Sequence, residues 1–203
     1  MDIERTAHWD NVYETKAPHQ VSWTQEYPKT SFEIIQSFEL SKTAKILDVG
    51  GGDSKLVDCL LDAGYENITV LDISEKALLR AQKRLGDIAS KVNWVVSDIT
   101  TFKPDRAFDV WHDRAAFHFL TEAEQISQYV ALASSCVKGY LSVGTFSKQG
   151  PVKCSGLSIS QYSEEELMSV FSSGFHLLDS KIENHKTPFD TLQNFLFCSF
   201  KKK

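Results

Sequence analysis

The stretch that decides the fold is KILDVGGGDS, residues 45–54. A short apolar run ends at Asp48, three glycines follow, and Ser54 stands where a helix would begin. Glycine lets the backbone approach a ligand closely because it has no Cβ. In an open α/β sheet, ligands bind beyond the carboxyl ends of the strands. The stretch therefore predicts a strand, a ligand-binding loop and a helix.

Around this loop, short apolar runs alternate with longer amphipathic stretches. The short runs are β-branched or aromatic and bounded by polar residues, which is typical of strands covered on both faces. The expected strands are Lys45–Val49, Ile68–Asp72, Val92–Val96, Phe108–Trp111 and Tyr140–Phe146. Between them, apolar residues recur at three and four positions after Ser54, Ser74 and Thr121. The alternation predicts a doubly wound α/β sheet.

Three hydroxyl residues have a glutamate three positions further on, which is the spacing of a capping box. We expect a helix to begin at each of these pairs, which are Thr30 with Glu33, Thr121 with Glu124, and Ser163 with Glu166.

The end of the chain breaks the alternation. After an expected helix at Glu164–Phe171, the segments Phe175–Ile182 and Gln193–Lys201 both resemble strands, with no helix between them. Neighbouring strands with a short connection pair antiparallel. The sheet is therefore expected to be mostly parallel, with an antiparallel element at its C-terminal edge.

Length and charge exclude several classes of protein. The 203 residues fit one domain. The formal charge of −5 disfavours a general nucleic-acid binder, which needs surplus Lys and Arg. No run approaches the ~18 apolar residues of a membrane helix, and the opening MDIERTAHWD has no apolar signal-peptide core. We expect a cytoplasmic monomer or weak homodimer, without nucleic-acid or membrane partners.

The four cysteines show no C-x-x-C spacing, so neither structural zinc nor a disulfide framework is expected. Cys59, Cys136 and Cys198 lie in apolar segments and are interpreted as small buried hydrophobic residues. Cys154 lies in a polar, glycine-flanked stretch and is the one candidate for a reactive cysteine.

The glycine loop favours one kind of ligand. The dinucleotide fingerprint G-x-G-x-x-G requires a glycine at position 55, where the chain has Lys55. Asp48, two residues before Gly50, would repel a pyrophosphate and attract an ammonium group. The loop is therefore expected to bind an α-amino acid moiety, although a loop that merely links strand and helix remains an alternative.

Two further acids stand at the ends of the next strands. Asp72 follows Gly52 by 20 residues (72 − 52), the distance at which an acid accepts hydrogen bonds from ribose hydroxyls. Asp72 could also cap the following helix, but Ser74 is the better cap. Asp98 ends the third strand, where its carboxylate can accept from an adenine amino group while Ile73 and Ile99 pack on the ring.

This ordered set resembles the class I S-adenosylmethionine-dependent methyltransferases. The stretches HWDNVY, LDVGGGDS, LDIS, WHDRAAFHFL and GPVKCSGL are similar to those of small, mostly bacterial methyltransferase-domain proteins. The resemblance implies S-adenosyl-L-methionine as cofactor and a Rossmann-like sheet of seven strands, the last one antiparallel. One departure is Ser54, where many relatives have a third glycine.

The resemblance also implies roles for individual residues. Gly50 and Gly52 would approach the methionine part of the cofactor, with Asp48 near its amino group. The full expected cofactor-binding set is Trp23, Asp48, Gly50, Gly51, Gly52, Asp72, Ile73, Asp98, Ile99 and Asp113.

The end of the fourth strand is expected to lie beside the reactive methyl group. His112, Asp113 and Arg114 are the candidates for contacts with the sulfonium or the nucleophile, and His112 or Asp113 could act as a general base. Alternatively, Asp113 and Arg114 form a structural ion pair and His118 is a core histidine. Methyl transfer depends mainly on orientation and electrostatics, so no metal is expected.

Two segments are open to two interpretations each. Residues 1–40, with Trp9, Tyr13 and Trp23, form either a lid or a helix packed on the domain. The long polar segment 144–163 either lines the acceptor pocket through Lys153, Cys154, Ser155 and Tyr162, or is a surface connection. The single domain would thus consist of this N-terminal segment, a cofactor half at 41–120 and a substrate half at 121–203.

The sequence therefore predicts a methyltransferase that acts on a small molecule. A protein lysine acceptor and a non-catalytic module that binds a nucleoside cofactor are the alternatives. An NAD-dependent reductase is disfavoured by Lys55.

Overall fold

The fold is a seven-stranded sheet with helices on both faces, seen in a computed structural model that describes residues 3–203. Met1 and Asp2, which open the predicted N-terminal segment, lie outside the described residues. The helices are α1 (Ile3–Thr15), α2 (Lys29–Ser37), α3 (Leu56–Asp62), α4 (Glu75–Leu85), α5 (Ala123–Cys136) and α6 (Glu164–Phe171). The strands are β1 (Lys45–Val49), β2 (Asn67–Asp72), β3 (Val92–Val96), β4 (Phe108–Arg114), β5 (Val137–Phe146), β6 (Lys153–Cys154), β7 (Leu157–Ser158), β8 (Phe175–Lys186) and β9 (Leu192–Lys202).

The order of the strands confirms the predicted architecture. They lie as β3, β2, β1, β4, β5, β9 and β8, and β9 pairs antiparallel with both β5 and β8. The pairs among β1 to β5 are parallel. From β1 the chain builds first towards β3 and then, through β4, in the opposite direction. The crevice between β1 and β4 is therefore the topological switch point, where ligands bind in such sheets.

Two apolar cores hold the sheet between its helices. On one face, α5 and α6 bury a cluster that includes Trp111, Tyr129 and Phe171. On the other face, α2, α3 and α4 bury Ile35, Leu60 and Leu78, among others, against β1, β2 and β4. Strands covered on both faces are apolar along their whole length, which explains the continuous apolar runs in the sequence.

The helix starts agree only partly with the capping signals. Ser74 and Ser163 are N-caps, accepting hydrogen bonds from the amides of Ala77 and Glu166 at 3.2 and 3.3 Å. The expectations for Thr30 and Thr121 are wrong. Thr30 lies inside α2, which follows the N-cap Pro28, and α5 is capped by Glu122.

The start of α3 also differs from its expectation. Its N-cap is Lys55, and Ser54 precedes it, accepting a hydrogen bond from the amide of Leu56 at 3.1 Å.

β1 and β3 have the predicted bounds, whereas the other predicted strands are longer than the apolar runs suggest. β4 continues through His112 and Asp113 to Arg114, and β8 extends to Lys186. The segment between β5 and α6 contains the hairpin β6 and β7, which the sequence pattern did not indicate. Within residues 3–203, no helix combines the length and apolar character that crossing a bilayer requires.

Candidate active site

The switch point opens into a cavity of about 480 Å³, within the size range of small-molecule sites. Most of the predicted site residues line it, namely Trp23, Asp48, Gly50, Gly51, Asp72, Ile73, Asp98, Ile99, His112 and Arg114. Gly52 and Asp113, which the sequence also placed there, are not among the lining residues.

The glycine loop is packed so tightly that side chains do not fit. Gly50 has φ +64°, and a Cβ on it would lie 2.5 Å from the Cβ of Ala116 in the turn after β4. Gly52 has φ +49°, and its Cβ would lie 2.7 Å from the hydroxyl of Tyr13 in α1. Positive φ and close approach both favour glycine. Gly52 thus holds the loop against α1, while Gly50 and Gly51 face the cavity.

A buried carboxylate and imidazole form the centre of the site. Asp48 and His112 are register partners on β1 and β4, and Asp48 Oδ1 lies 2.7 Å from His112 Nδ1. A carboxylate only accepts, so it selects the tautomer with the proton on Nδ1 and a lone pair on Nε2. No residue among 3–203 bonds to that Nε2, which is buried. His112 therefore offers an oriented, unpaired acceptor in the cavity wall.

Asp72 is a buried carboxylate at the end of β2, 6% exposed. Its Oδ1 accepts a hydrogen bond from the amide of Ser74 at 2.8 Å. Burial, reinforced by the charges of Asp48 and Asp53, raises the pKa of Asp72 to about 7. The group therefore changes charge near neutral pH, as expected of a carboxylate whose solvent has been removed without a cation taking its place.

At the end of β3, Asp98 has a local structural role as well as a place in the cavity wall. Its Oδ1 accepts from the amide and the hydroxyl of Thr100, at 2.9 and 2.7 Å, which fixes the turn. Ile99 and Ile73 line the same part of the cavity, which matches the expected apolar walls around a ring.

Asp113 requires a correction. Its Oδ1 accepts from the amides of Ala116 and Phe117, both at 3.0 Å, and its Oδ2 accepts from the Tyr129 hydroxyl at 2.8 Å. The side chain is fully buried on the α5 face of the sheet, and burial raises its pKa to about 6. Side chains alternate along a strand, so Asp113 faces away from His112 and Arg114. It holds the turn after β4 and does not face the cavity.

Arg114 lines the cavity with a nearly unpaired guanidinium. Nη1 donates to the backbone oxygen of Trp23 at 3.1 Å, and the group lies 4.6 Å from the centroid of the Phe195 ring. Nε and Nη2 are buried without a partner among the described residues. Burial lowers the pKa of Arg114 to about 10, so it stays charged at neutral pH. The alternative ion pair with Asp113 is not formed, because the two side chains lie on opposite faces.

His118 is a core residue, as the alternative interpretation held. It is fully buried beside Phe119 and Phe146 and does not line the cavity. Burial and then the charge of Arg114 lower its pKa to about 3, so it is neutral at physiological pH.

The N-terminal segment is a helix that also walls the cavity. Asp10 accepts from the Ser74 hydroxyl at 2.6 Å, and Arg5 donates to the Phe119 backbone oxygen at 2.9 Å. Trp9 contacts the rings of Trp23 and Phe119, with centroids 5.6 and 5.2 Å apart. The helical interpretation is therefore confirmed for Ile3–Thr15, and this helix also supplies residues to the cavity wall.

The segment after β5 contributes Cys154, Leu157 and Ser158 to the cavity wall. Lys153, Ser155 and Tyr162 do not line it, and Tyr162 instead packs on Phe117. The reactivity of Cys154 is also corrected, since the residue is 5% exposed and burial raises the pKa of its thiol to about 11. Such a thiol stays protonated and is a weak nucleophile.

Sequence reasoning missed several lining residues, among them Arg5, Asp53, Ser97 and Leu157. Asp53 was within reach, because it belongs to the glycine stretch itself. Arg5 was not, because its position depends on where α1 packs.

The chain is similar to known methyltransferases. Residues 46–139 match a family model described as a methyltransferase domain. The chain is 25% identical over 122 residues to the mouse eEF1A lysine and N-terminal methyltransferase, which covers 59% of this chain and 17% of the mouse protein. It is 24% identical over 192 residues to human EEF1A lysine methyltransferase 2, covering 85% of this chain and 74% of the human protein. The chain thus spans only a small part of the mouse relative.

Solved structures share the fold over nearly the whole chain. The 1,6-didemethyltoxoflavin-N1-methyltransferase of Burkholderia thailandensis, solved with its namesake ligand and S-adenosylhomocysteine, has a TM-score of 0.71 at 18% identity, covering 99% of this chain and 85% of that one. The N-methyltransferase NodS of Bradyrhizobium japonicum, in complex with S-adenosylhomocysteine, has a TM-score of 0.67 at 15% identity, covering 98% and 95%. At these identities the likeness concerns the fold.

Proposed function

The chain belongs to the class I S-adenosylmethionine-dependent methyltransferase family, and from this premise we propose that it transfers a methyl group to a small-molecule acceptor. The observation that carries the proposal is the shape of the cavity. It extends from the glycine loop, past His112, to a region walled by Trp9, Trp23, Cys154 and Leu157. An acceptor enclosed by α1 on one side and by the hairpin on the other is a small one.

The residues on the β1 and β2 side fit the cofactor. Gly50 and Gly51 leave room for the methionine moiety, and Asp72 offers a buried carboxylate for the ribose hydroxyls. Asp98 and Ile99 line the cavity, and we propose that they contact the adenine ring. Asp48 differs from its expected role near the amino group, because His112 engages one of its oxygens. Its other oxygen still accepts in the same wall.

S-adenosylmethionine, held by Gly50, Gly51 and Asp72, would supply an electrophilic methyl group on a cationic sulfur, with S-adenosylhomocysteine as the leaving group. His112 Nε2 takes the proton of an acceptor that arrives protonated, and Asp48 stabilises the resulting imidazolium. Trp9, Trp23 and Phe119 exclude water around the reacting atoms.

A protein lysine acceptor is the second candidate, and the relatives favour it, since two of them are described as eEF1A lysine methyltransferases. The volume of the cavity, about 480 Å³, and its aromatic and apolar walls at Trp9, Trp23 and Leu157 favour the small molecule. The two proposals differ in the size of the labelled product.

The experiment is a turnover assay with methyl-labelled S-adenosylmethionine on two fractions of one lysate, separated by a membrane of about 3 kDa cut-off. We expect label in products of the small-molecule fraction. Label only in protein bands would support the lysine alternative. Binding of S-adenosylhomocysteine with no labelled product in either fraction would favour the non-catalytic module.

Asp72 gives cofactor binding a pH dependence. Ribose hydroxyls donate to the ionised carboxylate, so binding requires the form that prevails above a pKa of about 7. We expect the affinity for S-adenosylhomocysteine to rise up to about tenfold per pH unit below 7 and to level off above about pH 8. Calorimetry at pH 6, 7 and 8 measures the slope. Asp72→Asn is expected to bind weakly at every pH, and the same slope in that variant would rule out Asp72 as its source.

A further inference from the structure

We infer that the acceptor is an anion and that Arg114 binds its oxyanion, a carboxylate or a phosphate, on the side of the cavity away from the cofactor. The inference rests on the proposed methyl transfer and names the chemical class of its acceptor. It is carried by the position of Arg114, by its unpaired donors and by its distance from His112.

The position of Arg114 assigns it to the acceptor side. β4 has β1, with the glycine loop, on one side and β5 followed by β9 and β8 on the other. The guanidinium lies over Phe195 of β9, and its field acts on Cys154 of β6 and on Glu183 of β8. These contacts lie on the side opposite to the glycine loop, whereas the charge of Asp48 on β1 acts on the guanidinium more weakly than that of Glu183. The methionine carboxylate of the cofactor is therefore not its natural partner.

The free donors of Arg114 form one binding edge. Nη1 donates to the backbone oxygen of Trp23, whereas Nε and Nη2 are buried and have no partner among residues 3–203. Nε and Nη2 point in the same direction from a planar guanidinium, and this edge binds two oxygens of one oxyanion. Leaving both donors buried and unpaired is costly. A bound oxyanion would pair both.

The Arg114 guanidinium has no carboxylate in direct contact in the described part of the chain. The charges of Glu183 and, more weakly, Asp48 act on it from a distance. One oxygen of Glu183 accepts from Gln25 at 3.0 Å, and one oxygen of Asp48 is engaged by His112. Cys154 and His118, which also lie near the guanidinium, are neutral. A cationic lysine side chain would meet the guanidinium directly, so this charge also disfavours the lysine acceptor.

The distance to His112 sets the size of the acceptor. His112 and Arg114 are two residues apart on β4, so their side chains leave the same face about 7 Å from each other. An acceptor bound by its oxyanion at Arg114 presents a nucleophilic atom to His112 when a few bonds separate the two groups. Small carboxylic acids with a thiol or hydroxyl, and phosphate esters with a thiol, amine or hydroxyl, meet this requirement.

The test separates acceptors by charge before the reaction. The small-molecule fraction of a lysate is passed over an anion-exchange resin at pH 7, and flow-through and desalted salt eluate are assayed with methyl-labelled cofactor. We expect the acceptor in the eluate. Labelled product from the flow-through alone would overturn the inference and leave the proposed methyl transfer intact. No labelled small product from either fraction would instead mean that the proposed function fails.

Variants then test Arg114 itself. Arg114→Gln is expected to lower kcat/KM with the eluate about 100-fold, mainly through KM, and Arg114→Lys, which keeps the charge without the paired edge, about 10-fold. Both should bind S-adenosylhomocysteine as tightly as the wild type. Arg106→Gln, at an exposed arginine remote from the cavity, is the matched control and should have no effect. Weakened S-adenosylhomocysteine binding in the Lys variant would show that Arg114 holds the cofactor, and would overturn the inference.

Phosphatase treatment of the eluate distinguishes the two oxyanions. An acceptor that is destroyed carries a phosphate monoester, and one that survives carries a carboxylate or a phosphodiester. Either result supports the inference once the eluate holds the acceptor.

Discussion

Gly50→Ala is expected to weaken binding of S-adenosylhomocysteine at least 100-fold. Residue 50 has φ +64°, a conformation that costs a non-glycine residue about 1–2 kcal/mol. The new methyl group would also lie 2.5 Å from the Cβ of Ala116, so the loop or the turn after β4 must move. Overpacking of this kind costs about 1–3 kcal/mol. Gly50 and Ala116 both line the cavity, so this movement narrows the proposed cofactor site.

Calorimetric titration with S-adenosylhomocysteine measures this loss, and Gly64→Ala is its matched control. Gly64 has φ +84° in the turn after α3, but a Cβ there would meet no atom within 4 Å. An alanine at position 64 therefore has the conformational cost of a positive φ, but it makes no clash and does not line the cavity. We expect the control to lose about 1 kcal/mol of stability and to keep its affinity. Unchanged binding by Gly50→Ala would refute the placement of the cofactor against this loop.

The architecture could be predicted from the sequence because its signals are local and repeated. Each strand of the parallel sheet is a short apolar run, and each helix has an apolar face, so the alternation sets the sheet. The strand ends then follow from topology: Asp48, Asp72 and Asp98 line one cavity because the carboxyl ends of β1, β2 and β3 lie at one edge. The grouping of polar residues at the ends of consecutive parallel strands can thus be predicted without knowledge of their tertiary contacts.

Asp113 shows where this reasoning stops. The predicted fourth strand ends at Trp111, so the alternation of side chains is not extended to the three residues after it. In fact β4 continues to Arg114, and strand alternation sends Asp113 to the opposite face from its neighbours. Extending the strand alternation by three residues, to Arg114, would have separated Asp113 from His112 and Arg114.

Other features depend on contacts that no local pattern encodes. Arg5 reaches the backbone of Phe119, 114 residues away, only because α1 packs beside the turn after β4. Thr30 has the spacing of a capping box, yet α2 follows Pro28 and buries Thr30 within its first turn. Sequence spacing therefore indicates candidate N-cap residues, and the packing of the helix determines which residue is the N-cap.

Asp113→Ala is expected to lower the free energy of unfolding by about 3 kcal/mol, and this is the largest stability effect in the region of the site. The carboxylate accepts from two amides and from Tyr129, and an alanine would leave three buried donors without a partner. The cost of burying the charge, visible in the pKa of about 6, offsets part of the gain at pH 7.

Urea denaturation measures the difference. Tyr129→Phe removes one donor to Asp113 and the acceptor of Trp111 Nε1 and should lose about 1–2 kcal/mol, whereas Asp105→Ala, at an exposed ion pair, should lose less than about 0.5. The same ranking should appear in apo and cofactor-bound protein, because none of the three side chains lines the cavity. A stable Asp113→Ala protein without methyl transfer would instead return Asp113 to the catalytic role that the sequence suggested.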